Sequence, residues 1–259
     1  MLRKTLLGVA GAVFLFGTFA TVANATHSWG GYHWARTANP FTLKIGDNVS
    51  SKWDSYLSTA SADWSVSPVL DTSVVTGKTN PKNCRPVIGR VEVCNSKYGR
   101  NGWLGLATVW VSGSHIAQGT VKFNDTYFNT AAYNTPAWRQ AVVCQEIGHT
   151  FGLDHQDEDF YNLNLGTCMD YTADPARNDG AGDNVHPNTH DYDMLGEIYA
   201  HLDGVTTLVQ SVFSAPAGTG ENTADWGKEI RKSKDGKASL YEKDLGRGQK
   251  VFTFVVWAK

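Results

Sequence analysis

Val143-Cys144-Gln145-Glu146-Ile147-Gly148-His149-Thr150-Phe151-Gly152-Leu153-Asp154-His155 is the stretch from which the chain is best read. On an α-helix, side chains four apart share a face, so Gln145 and His149 point the same way with Glu146 beside them. Gly152 can adopt the positive φ that stops a helix and turns the chain. His155, three residues later, is then able to return toward His149. Two imidazoles, a side-chain amide and a carboxylate converging on one point suit a divalent cation. Zinc is the natural choice, held by three protein ligands with a further position for water.

The stretch resembles the metzincin zinc proteases, whose motif is HExxHxxGxxH with a methionine turn downstream. This chain reads Q-E-I-G-H-T-F-G-L-D-H, followed by Gly166-Thr167-Cys168-Met169-Asp170-Tyr171. Every motif position matches except the first, where Gln145 replaces histidine. The resemblance runs over about residues 32–203 and is nearest the matrixin-like branch. It implies a secreted zinc endopeptidase acting on protein or peptide. His149, His155 and Gln145 would hold Zn2+, Glu146 would act as general base, and Met169 would form the floor beneath the metal. Tyr171 would either approach the metal and the transition state or simply pack. Gln145 offers a neutral carbonyl oxygen, a weaker zinc donor than imidazole. A catalytically silent protein of the same fold, binding a peptide or surface ligand in the same cleft, is the alternative.

The rest of the sequence bounds this reading. Arg3 and Lys4, an apolar run from Leu6 to Val22 and Ala23-Asn24-Ala25 form a signal peptide over residues 1–25. No second run is long enough to cross a bilayer. The formal net charge of −2 and the absence of a basic run give no footing for nucleic acid. Cys84, Cys94, Cys144 and Cys168 in a secreted chain suggest two disulfides, with three pairings possible. Cys84 with Cys94 is the natural local pair, and Cys144 with Cys168 would follow. No C-x-x-C pair supports a zinc site built from the cysteines.

The expected fold class is α+β: a mixed twisted sheet with an edge strand over the cleft, two to three helices and a small C-terminal β-meander. Phe41 to Ile45 alternates as a strand, a helix starts near Asn48-Val49-Ser50, and Val69 to Val75 is a second strand. Ile88 to Val93, Leu104 to Val111 and His115 to Phe123 follow as strands. By the resemblance, an edge strand within Leu104 to Phe123 would pair with extended substrate. Thr135 caps the metal-binding helix, with Pro136 at its first position, and the helix runs to about Phe151. Thr189-His190-Asp191 caps a last helix, along which Tyr192, Leu195, Ile198, Tyr199 and Leu202 form one apolar stripe. The catalytic unit is placed at 26–204, a linker at 205–220 and a small β segment at 221–259, with strands at Glu229–Lys232, Ala238–Glu242 and Val251–Trp257. That segment is expected to dock on the main unit as structural cover. The protein is expected to be monomeric. His27 and His33 read as surface residues and His115 as a packing or capping residue. His186 and His190 are reserve ligands should Gln145 fail.

Overall fold

The computed structural model describes residues 27–209 and 220–258. The signal peptide and most of the expected linker lie outside the described residues. These form nine strands: β1 (His33–Trp34), β2 (Phe41–Asn48), β3 (Leu70–Thr76), β4 (Arg90–Ser96), β5 (Trp103–Ser112), β6 (His115–Asn124), β7 (Lys228–Lys232), β8 (Ala238–Gly246) and β9 (Gln249–Trp257). Four α-helices accompany them: α1 (Asp54–Trp64), α2 (Asp125–Phe128), α3 (Pro136–His149) and α4 (Thr189–Ile198). Among the described residues no helix is long and apolar enough to cross a membrane.

The fold is α+β around one mixed sheet, ordered β3-β2-β4-β6-β5-β9-β8-β7, with β1 beside β6. Strands β3, β2, β4 and β6 run parallel, and β5, β9, β8 and β7 continue antiparallel. The parallel pair β2 and β3 needs a crossover, and α1 supplies it. The alternating apolar residues Phe41, Leu43 and Ile45 of β2 are buried, as the period of two requires.

Four expectations are corrected here. Asn48 does not start a helix. It ends β2, and its side-chain amide donates to Glu92 at 2.6 Å, so the helix begins later, at Asp54. The last helix is capped by Asn188, with Asp191 completing a capping box one turn on. Leu202, read as part of its apolar stripe, lies beyond the helix and is exposed. The largest correction concerns the free edge. β5 is flanked by β6 on one side and β9 on the other, with Trp103 to Ser112 paired against Gln249 to Trp257. The C-terminal β segment therefore extends the main sheet across the edge expected to stay open.

Both disulfides form as the local pairing suggested, Cys84 with Cys94 and Cys144 with Cys168. The second ties α3 to the turn carrying Met169. Each closes a loop and contributes roughly 3 kcal/mol in the chain-entropy picture. Trp64 of α1 lies fully buried beneath α3, and its indole N–H donates to the Cys144 carbonyl at 3.1 Å.

Candidate metal centre

Thr135 caps α3 by accepting from the Trp138 N–H at 3.2 Å, and Pro136 opens the helix, where a missing N–H costs nothing. The helix stops at His149, and Gly152 turns the chain at φ +103°. A Cβ at Gly152 would run into the Tyr32 carbonyl oxygen, so both conformation and space call for glycine. The turn returns His155 to His149, whose ring centroids lie 4.7 Å apart.

The two imidazoles are oriented from behind. The His149 Nδ1–H donates to the Leu153 carbonyl at 2.9 Å, and the His155 Nδ1–H donates to Glu158 Oε1 at 3.3 Å. The hydrogen bond from His155 holds the Glu158 carboxyl below its ordinary range, so it serves as an ionised acceptor. Burial pushes the His149 imidazole well below its usual value and keeps it neutral. With each Nδ1 engaged from behind, the two Nε2 atoms face one another at 3.1 Å. At that distance the two nitrogens share one proton or, in its place, one metal ion.

Glu146 is fully buried, and both its carboxylate oxygens lack a hydrogen-bond partner. Burial raises its pKa well above the ordinary carboxylate value. An orphaned carboxylate at this depth is costly, and a nearby cation would compensate it. The donor chemistry and the orphaned oxygens both fit a zinc ion.

Gln145 is buried on the same helix. Its Nε2–H donates to the Cys168 carbonyl at 2.9 Å, which leaves Oε1 as its donor atom. Met169 is completely buried under α3, with Sδ only 2.7 Å from where a Gly148 Cβ would sit. The Tyr171 ring lies edge-on to His155 at 4.8 Å, but its hydroxyl donates to the Lys237 carbonyl. His186 and His190 stand elsewhere, His186 bonded to Asp63 and His190 stacked on His27. His27 and His33 are buried, not surface residues as expected.

The C-terminal segment supplies contacts that were not legible in the sequence. Phe254 of β9 stacks flat on His149, with centroids 4.2 Å apart. Arg231 of β7 pairs with Asp154 and, at 3.2 Å, with Glu158. Lys237, just before β8, holds the Tyr171 hydroxyl. Alternation marks β9 as a strand, but nothing local shows which strand it joins.

Gly105 of β5 lies directly against Glu146, and a Cβ there would stand 2.7 Å from both Glu146 Oε1 and Val142 Cγ1. A lone glycine inside an apolar strand is a sequence signal of such a close approach. Gly105→Ala is expected to cost about 1–3 kcal/mol through overpacking, read as a lower urea midpoint with unchanged slope. An unshifted midpoint would show that Glu146 and Val142 move aside freely.

Fold and site together define a protein with an α+β sheet and a buried histidine pair beside an orphaned glutamate. No protein-family model matches the sequence, and no curated protein matches it. Solved structures with a similar chain trace include high choriolytic enzyme 1, a hatching-enzyme zinc protease from the medaka fish Oryzias latipes. It is 10% identical at a TM-score of 0.35, covering 66% of this chain and 96% of that one. Two structures of myroilysin are 12% and 11% identical, each at a TM-score of 0.36. They cover 64% and 70% of this chain, and 96% and 97% of their own. At this identity and TM-score the likeness carries no weight for chemistry, and the site is judged on its own geometry.

Proposed function

We propose that this chain is a secreted zinc-dependent endopeptidase of metzincin type, nearest the matrixin-like branch, with Gln145 at the first motif position. The observation that carries this is the facing pair of Nε2 atoms on His149 and His155, 3.1 Å apart, with the orphaned Glu146 one turn back on the same helix. His149 and His155 would hold the zinc, with Gln145 Oε1 as a weaker third donor. When bound, zinc would polarise the scissile carbonyl and acidify water. Glu146 takes the proton from the attacking water and delivers it to the leaving amine. Leu153 and Glu158 fix the imidazole tautomers. Tyr171, once free of Lys237, could donate to the developing oxyanion.

The substrate would be an extended peptide paired with β5 once that strand's outer side is freed, since strand addition supplies backbone hydrogen bonds in register. β9 holds that position in this structure, with Val256 opposite Gly105 and Phe254 over His149. Substrate would enter as β9 leaves. Two disulfides accord with an extracellular setting.

The test is zinc content by elemental mass spectrometry of the purified chain, His149→Ala and Gln145→Ala. One equivalent is expected to be lost in His149→Ala and to be held more weakly in Gln145→Ala. Folded protein whose zinc content is unchanged by His149→Ala would sink the hydrolase reading and leave a silent binding protein.

A further inference from the structure

His33 and His115 are partners in the parallel pairing of β1 with β6, so both side chains emerge on one face at one level. The chain after α4 brings Asp203 to the same place. Arg36 holds it there: the Asp203 N–H donates to the Arg36 carbonyl at 2.9 Å, and Arg36 Nη1 donates to Asp203 Oδ2 at 2.8 Å. This turns Oδ1 toward the histidines. His115 Nε2 lies 3.2 Å from it and His33 Nε2 lies 3.4 Å from it. His201 follows, with Nε2 at 3.2 Å from His33 Nε2 and 3.7 Å from Asp203 Oδ1.

The His33 Nδ1–H donates to the Gly31 carbonyl at 3.1 Å, which turns its Nε2 toward Asp203 Oδ1. Three imidazole nitrogens thus converge on one carboxylate oxygen, an arrangement of donor atoms that a single metal ion satisfies at once.

We propose that His33, His115 and Asp203 form a second zinc site, with His201 as the fourth donor. The three core donor atoms lie within 4.8 Å of one another. Bonds of about 2.0–2.1 Å in a tetrahedron put donor atoms roughly 3.3 Å apart. The distances from Asp203 Oδ1 to the two core histidines match that spacing. Three imidazoles and one carboxylate select zinc or a neighbouring transition metal, whereas calcium and magnesium want oxygen donors throughout. Part of His115 and most of His201 are exposed, so the ion can load from solvent. It would clamp the N-terminal strand, β6 and the chain beyond α4 together. The site uses none of the His149 ligands and is independent of the protease reading.

The experiment titrates metal-stripped full-length protein with zinc by calorimetry, and with cobalt by visible absorption, in wild type, His115→Ala, His201→Ala and His155→Ala. His115→Ala is expected to lose one equivalent of zinc and one tetrahedral cobalt band set that His155→Ala retains. His201→Ala is expected to bind that equivalent at least tenfold more weakly, and being at an exposed residue it serves should His115→Ala fold poorly. Wild-type stoichiometry in His115→Ala with wild-type affinity in His201→Ala would overturn the site. So would wild-type binding that vanishes entirely in His155→Ala. An equivalent lost only in His155→Ala reports on the Glu146 centre, so the two readings fail separately.

Discussion

Glu146→Gln is expected to take up zinc like the wild-type chain and to lose about 100-fold or more in peptide hydrolysis. Gln keeps the volume of the buried side chain and removes its capacity to take a proton. The carboxylate has no hydrogen-bond partner, so the substitution breaks no existing bond. Stability should hold, because an amide of the same volume replaces a carboxyl whose charge burial already disfavours. The comparison is turnover of a long unstructured peptide by both proteins, with metal content and urea midpoint measured alongside. Equal turnover would remove Glu146 from the chemistry. A silent binding protein of the same fold would be indifferent to the change.

Trp64→Ala is expected to cost about 3–5 kcal/mol, the range for truncating a large buried aromatic. Trp64 is fully buried, meets Phe151 and Tyr192 edge-on, and donates its indole N–H to the Cys144 carbonyl of α3. Its ring lies 2.8 Å from where a Gly148 Cβ would sit, so it supports the helix one residue before His149. Losing it opens a cavity under that helix. For a domain of this size the midpoint of thermal unfolding should fall by roughly 10 °C. Zinc uptake should weaken as well. A midpoint within a degree or two of wild type would mean the surrounding side chains collapse to fill the gap.

The α3 helix and its turn were legible because their signals are local. Thr135 and Pro136 announce the start, Gly152 the stop, and the spacing of His149 and His155 the convergence. The cysteine pairing followed from separation along the chain. What was not legible depends on partners distant in sequence. Asn48 looks like a helix cap until Glu92 claims its amide. His33 and His115 look unrelated until β1 and β6 set them in register. Arg231, Lys237 and Phe254 lie in a segment whose alternation predicts strands but cannot say against which edge they pair. Gly105 was the one remote contact that left a mark, as a glycine in an otherwise apolar strand.

The seating of β9 on β5 also makes the C-terminal segment a tethered competitor of any peptide that would use the same edge. A strand on the same chain competes intramolecularly, at an effective concentration that an incoming peptide has to match. An incoming peptide binding more weakly than β9 therefore sees only the fraction of molecules in which β9 has let go. Turnover by the intact chain would report that open fraction multiplied by the intrinsic rate. A low rate would then measure how firmly the chain holds its own last strand, and a substitution loosening β9 could raise activity without touching a ligand.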